Sequence, residues 1–441
     1  MGNDLPQGVR RTGDFYDSYP DTPETKVALE RSAKGISVTV AWSHPDAPYA
    51  GWFLDSSFSG RVVQHSEPRP VPSRVLFHDS HGAVLLIGCR ARGYHANLLG
   101  PGSGTLWARA AIFDVQRDCE FDQPHGLRTE ISGLREWLGV TSWRREEDWS
   151  ERPLRLSLTT APAPAIELGT YQGFDVRLVP SWGLRPDESR DERVLLDLLR
   201  CETRSDSPRD WDAHVQIHRA IRDLLVLSRW HDESCVEVYA MRLDDPRTTL
   251  DGSVHGEQWR EVQVPDDERR GAPTYRSHLV HFDELEVAGI RKWLDLRDEF
   301  ARALDPVITT IDLRNATAHT RLAHAGPGLE ALGYLLMLRD GVTERAAAFS
   351  SLHSRLKRIL EDVAHCLPFD GASWATQTVE VYNGLKHANR KLPDSIDVLN
   401  VWRQAVLTTR AWVARELGVE GQALKERLEL DPQRHPYVKS H

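Results

Sequence analysis

The sequence predicts an α+β protein with a β-rich N-terminal part followed by an all-helical C-terminal bundle. Three observations predict it. Between Gly35 and about Trp149 apolar residues come in short runs between turn signals, and Ile36-Ser37-Val38-Thr39-Val40-Ala41-Trp42 alternates with period two, as a half-buried strand does. From Asp283 onward apolar residues recur instead at three- and four-residue spacing. At 441 residues the chain is too long for one ordinary core, so two or three domains are expected.

In chain order, residues 1–34 carry polar and turn-forming residues (Gly13-Asp14, Tyr19-Pro20-Asp21) and read as an irregular arm. Residues 35–150 read as a β-rich domain. Val75-Leu76-Phe77 and Ala83-Val84-Leu85-Leu86-Ile87 flank a turn at Asp79-Ser80-His81-Gly82, so a hairpin is expected. Trp107 to Val115 reads as one further strand, and Leu134-Arg135-Glu136-Trp137-Leu138 as a short helix. Residues 151–282 form a mixed α/β middle region. It has strand-like runs at Leu154–Leu158 and Phe174–Val179, a Pro-Ala turn at 161–165, a helix from Asp212 to Leu227, and a loop-rich stretch over 244–277 with one short strand.

Residues 283–422 read as a bundle with four apolar faces. These are Leu329/Leu332/Leu335/Leu336, Phe349/Leu352/Leu356/Ile359/Leu360/Val363, Val379/Tyr382/Leu385/Lys386, and Val398/Val401/Trp402/Ala405/Val406/Trp412/Val413. Short connections imply antiparallel neighbours, and Leu417-Gly418 is a natural helix stop. Residues 423–441 read as a charged, frayed tail.

Composition narrows the function classes. Apolar residues are 40% and charged residues 27%, as in a soluble globular chain, and the longest apolar run has the length of a strand and not of a membrane span. The N-terminus has no basic-then-apolar leader, and the five scattered cysteines form no C-x-x-C pair, which together predict a cytoplasmic protein with no membrane association and no thiolate metal site. A net charge of −10 argues against a general nucleic-acid coat but leaves room for a local basic patch. His214 and His218 have the i,i+4 spacing of a metal-chelating pair, but with no third ligand beside them they read as a solvated helix face, and no metal or other cofactor is expected. No P-loop, dinucleotide fingerprint or nucleophile elbow is present.

The stretch with most chemical content is Val381-Tyr382-Asn383-Gly384-Leu385-Lys386-His387-Ala388-Asn389-Arg390. Asn383 and His387, four residues apart, are expected on one helical face with basic residues within a turn. The layout is one step from Arg-Asn-x-x-x-His, with Tyr382 in place of the Arg. Histidine titrates near neutral pH, as an acid/base catalyst must. A nearby cation stabilises charge that builds on a phosphate. Glu380 is two turns before His387 and is expected to orient it, Lys386 to supply the missing charge, and Arg390 and Lys391 extend the basic stretch. Arg314-Asn315-Ala316-Thr317-Ala318-His319 satisfies the pattern literally and is the alternative site, with Thr320, Arg321 and His324 extending it as a polar cluster. Its β-branched neighbours Thr309, Thr310 and Ile311 weaken the case for a helix there.

These residues resemble the ApeA family of bacterial anti-phage proteins, which pair a β-rich N-terminal domain with a C-terminal HEPN bundle. The N-terminal likeness runs from about Gly51 to Trp143 through Phe58-Ser59-Gly60-Arg61-Val62-Val63, Ser73-Arg74-Val75-Leu76-Phe77, Leu99-Gly100-Pro101-Gly102 and Leu134-Arg135-Glu136-Trp137. The C-terminal likeness runs from Leu329-Glu330-Ala331-Leu332 to Leu417-Gly418. The resemblance implies an abortive-infection endoribonuclease that needs no metal and cleaves host RNA, tRNA being one candidate, with Arg390 and Lys391 as RNA-binding residues. In that chemistry the ribose 2′-hydroxyl attacks the adjacent phosphorus and leaves a 2′,3′-cyclic phosphate. It also implies a homodimer or larger homo-oligomer formed through the HEPN domain, and a phage trigger. Against it stands a catalytically degenerate HEPN protein that serves as an RNA-binding or protein-interaction module, with Tyr382 as a packing residue, or a plain scaffold.

Overall fold

The computed structural model describes all residues except 1–2, 17–24, 45–46, 48, 54–69, 97–100, 116–118, 151–154, 162, 188–191, 266–276 and 439–441. The resembling segment Phe58–Val63, Leu99-Gly100 and the Leu154 end of one expected strand lie outside the described residues.

The first eight strands are β1 (Arg10–Tyr16), β2 (Thr25–Ser32), β3 (Gly35–Trp42), β4 (Arg74–Asp79), β5 (Gly82–Ile87), β6 (Arg90–Ala96), β7 (Gly102–Ala108) and β8 (Ala110–Phe113). Then come β9 (Gly126–Ile131), helix α1 (Leu134–Leu138), β10 (Trp143–Asp148), β11 (Arg155–Thr160), β12 (Ile166–Tyr171), β13 (Phe174–Asp187) and β14 (Glu192–Arg204). Helix α2 (Trp211–Arg229), β15 (Cys235–Met241) and β16 (Trp259–Gln263) complete the β-rich part. The helices that follow are α3 (Phe282–Glu299), α4 (Ala301–Ile308), α5 (Ala318–Arg339), α6 (Glu344–Phe349), α7 (Leu352–Val363), α8 (Gly371–Lys386), α9 (Ser395–Leu417) and α10 (Gly421–Glu429). The fold class is α+β as expected.

Among the described residues, fourteen strands form one antiparallel sheet in the order β12-β13-β14-β9-β15-β16-β8-β5-β4-β1-β2-β3-β7-β6, and β10 pairs with β11 separately. The sheet crosses the expected division at residue 150, because β9 pairs with both β14 and β15. The region expected to be an irregular arm supplies β1 and β2, deep inside the sheet order. The inward positions of β1 are Arg11, Gly13 and Phe15, so no apolar alternation marks it. Arg11 is buried against Asp79 at 2.6 Å, and a β-carbon on Gly13 would lie 2.8 Å from the Phe77 ring. The expected strand Trp107–Val115 is two strands, β7 and β8, which break at Arg109 and pair with different neighbours.

One core holds the aromatic residues Phe15, Trp42, Tyr49, Trp52 and Phe53 among β1–β7. The largest core is continuous from the β12–β14 end of the sheet through α1, α2 and α3 into α5, α7, α8, α9 and α10, so sheet and bundle are packed as one. His214 and His218 face into this side and are not solvated. Their rings are 0% and 1% exposed and bond to Thr203 and Thr129 of the sheet.

Three further expectations change in the bundle. Phe349 is 83% exposed, because Ser351 caps a new helix by accepting from Ser354 N and so separates α6 from α7. Helices α5 and α9 run in the same sense, with Arg321 over Trp402 at one end and Arg339 bonded to Glu416 at the other, so the bundle is not a simple up-and-down array. Residues 423–441 are not a frayed tail throughout: α10 buries Leu424 and Leu428, and Asp431 pairs with fully buried Arg410 at 2.7 Å. The Gly418 stop is as expected, in the left-handed region at φ +102°.

Candidate functional site

Helix α8 begins at Asp370, whose carboxylate accepts from Ser373 N, and its last helical residue is Lys386. His387 is the C-cap. Its backbone is extended (φ −117°, ψ 111°), although its N–H still donates to Asn383 O at 3.1 Å. The imidazole therefore leaves the helix one residue sooner than the spacing implies, because Gly384 lets the following loop fold back. A β-carbon there would lie 3.1 Å from both Lys391 O and Pro393 Cδ. Asn383 is half-buried, and His387, Arg390 and Lys391 are exposed. The Asn383 and His387 side chains make no hydrogen bond or ion pair with the described residues, and exposed Glu380 forms no ion pair with His387.

Tyr382, where the motif has Arg, is a packing residue. It is 4% exposed in a small core with Leu322, Ala325, Val398, Val401 and Trp402. Gly326 of α5 lets the ring approach the helix backbone, since a β-carbon there would overlap the ring and lie only 2.8 Å from the hydroxyl oxygen. Burial, then the charge of the Glu330 carboxylate, push the pKa of the Tyr382 hydroxyl up. Lys386 Nζ donates to the same carboxylate at 2.9 Å and lies 4.8 Å from the Tyr382 ring centroid, and Arg355 NH1 is 3.6 Å away. Lys386 is thus not a free cation. Glu330 and Gly326 were not legible as site-forming residues, because their partners lie more than fifty positions later in the chain.

The alternative motif does not occupy one helix. Arg314 and Asn315 form a turn, with Asn315 left-handed at φ +58°, and Thr317 then caps α5. Arg314 Nε is 3.7 Å from Asp232, while His319 is in the first turn of α5 with an enclosed Nε2 that has no hydrogen-bond partner. Arg321 stacks over Trp402 at 5.0 Å and donates to Leu313 O, and His324 bonds Thr309. The two motifs flank the same small core, since Trp402 and Tyr382 both belong to it.

Two family models match the chain. "ApeA N-terminal domain 1" matches residues 11–293, and "Apea-like HEPN" matches residues 338–422. The first extends well beyond the Gly51–Trp143 stretch of the sequence likeness and takes in β1, β2 and the middle region. The second includes Glu380–Lys391 and leaves out Arg314–His319. No curated protein and no solved structure matches. No helix among the described residues is long and apolar enough to cross a membrane. With a large antiparallel sheet over the first matched range and a helical bundle over the second, the chain belongs to the ApeA family.

Proposed function

We propose that this chain is a HEPN-type endoribonuclease of abortive-infection defence that cleaves RNA by 2′-hydroxyl attack without a metal ion. The observation that carries the reading is the pair Asn383 and His387. Within the HEPN match, at the end of α8, neither side chain has a hydrogen-bond or ion-pair partner among the described residues, and Arg390 and Lys391 follow in the exposed loop. A catalytic imidazole must be free to take and return a proton, and His387 is free. In this reading His387 is the acid/base, Asn383 holds the phosphate, and Arg390 and Lys391 supply the positive charge that Tyr382 lacks and Lys386 has committed to Glu330. HEPN domains generally associate with RNA and often dimerise, so a composite cleft between two copies is part of the proposal, with host RNA such as tRNA as substrate and a phage component as trigger.

The burial of Tyr382 supports a second reading, a catalytically degenerate HEPN that binds RNA or a partner. RNA cleavage in EDTA by wild type, His387→Ala and Arg314→Ala, with product ends mapped, separates the two. The nuclease reading expects 2′,3′-cyclic phosphate ends that vanish with His387→Ala and persist with Arg314→Ala. Loss only with Arg314→Ala moves the site to the earlier motif. Absence of cleavage by wild type, alone or with phage extract, leaves the binding module.

A further inference from the structure

The C-terminal end of α2 is where the β-rich part and the bundle are tied together. Fully buried Arg410 of α9 donates from Nε to Leu227 O at 2.6 Å and from NH2 to Ser228 O at 3.1 Å. Leu279 N donates to Ser228 O at 2.8 Å, and Ser228 Oγ donates to Val280 O at 3.0 Å. Next to this tie is a cavity of about 430 Å³ lined by Arg135, Glu136, Gly139, Val140, Thr141, Arg229 and His278. That volume is within the range of small-molecule sites.

Two nitrogens in its wall are enclosed and unsatisfied. The Arg229 side chain is 2% exposed, and its Nε donates to Glu233 Oε1 at 2.6 Å, but NH1 makes no hydrogen bond. The nearest further carboxylate, Glu136 Oε2, stands 3.8 Å from NH1, beyond hydrogen-bond reach. Nε2 of His278 likewise has no partner. Enclosed polar groups left unpaired are costly and rare in native proteins. Acceptor oxygens from a ligand would satisfy the guanidinium edge and, in its Nε2-protonated tautomer, the imidazole. Arg135 also lines the cavity and is held only loosely, 3.6 Å from Asp197. Donors converging from three elements suit a tetrahedral oxyanion better than a planar carboxylate. Glu136 is the counter-charge such a ligand displaces. Its side chain is 41% exposed on the one-turn helix α1.

We propose that this cavity binds the phosphate of a small phosphorylated molecule of nucleotide size, through Arg229, Arg135 and His278. Occupancy bridges α1, the end of α2 and the 277–280 segment, the last two of which flank the peptide groups that hold α9. Any effect of the ligand on RNA cleavage rests on the nuclease reading, whereas binding itself does not.

The test is calorimetric titration of the full chain with inorganic phosphate and with AMP, together with amide hydrogen exchange. Saturable binding is expected, with slowed exchange at Leu279 and Val280. Glu136→Gln tightens binding about fivefold by removing the competing carboxylate, and Arg135→Gln weakens it by a similar factor. Both positions are on the surface of α1, so these variants keep the fold where Arg229→Gln would strand buried Glu233. Stronger binding of AMP than of phosphate supports a ligand of nucleotide size, and equal binding overturns that part of the proposal in favour of the free oxyanion. No binding of either probe at millimolar concentration, or binding that neither variant changes, overturns the proposal.

Discussion

Replacing Gly326 by Ala tests how Tyr382 is held. A β-carbon at 326 overlaps the Tyr382 ring and lies 2.8 Å from its hydroxyl oxygen. The ring has nowhere to go: Val398, Val401 and Trp402 pack around it, and Lys386 lies 4.8 Å from its centroid. Overpacking of this kind costs about 1–3 kcal/mol. The mid-helix exchange of Gly for Ala returns up to about 1 kcal/mol through helix propensity. Gly326→Ala should therefore destabilise by about 1–2 kcal/mol, a drop in Tm of about 1–2 °C for a chain of 441 residues that unfolds as one unit. In a Tyr382→Val background the ring is absent and only the propensity gain remains, so the same substitution should raise Tm. The assay is a thermal melt of the four proteins of the cycle, with an expected coupling of about 2 kcal/mol. Equal losses in both backgrounds would refute the reasoning, because Gly326 would then be required by something other than the ring.

Other expectations follow from buried polar groups. Arg410→Ala removes two bonds to α2 carbonyls and the partner of Asp431, and should cost about 3–5 kcal/mol in the same melts. Leu424→Ala should cost about 2–5 kcal/mol if α10 is part of the core, against almost nothing for a frayed tail. Burial lowers the pKa of His214 to about 4 and of His218 to about 3. Below pH 6.5 the unfolded chain binds protons that the folded chain refuses. Stability is then full above pH 6.5 and falls towards pH 4 by up to about 1.4 kcal/mol per unit and per histidine. A His218→Gln variant should show a shallower decline in Tm over that window, and an unchanged slope would remove His218 from the account.

Much of the local structure was legible in the sequence because it depends on near neighbours. Period-two alternation found β3, the Asp79–Gly82 turn found the β4–β5 hairpin, and Gly418 marked the end of α9. The candidate segment Tyr382–Lys391 could be singled out too, because the types and spacing of its residues can be read along the chain. The strands of the expected arm were not, since the buried positions of β1 are an arginine neutralised by Asp79, a glycine required by close approach, and one phenylalanine. The fourteen-strand order depends on pairings between distant segments, which no local pattern encodes. In the candidate site, sequence determined which groups are present, and tertiary structure decided which of them are free. Lys386 is committed to Glu330, fifty-six residues away, and Tyr382 to a small core, while Asn383 and His387 have no hydrogen-bond or ion-pair partner among the described residues. The reason is physical: whether a charge or hydroxyl is available depends on what other elements place within hydrogen-bond reach, and that is settled only when α5, α7 and α8 pack together.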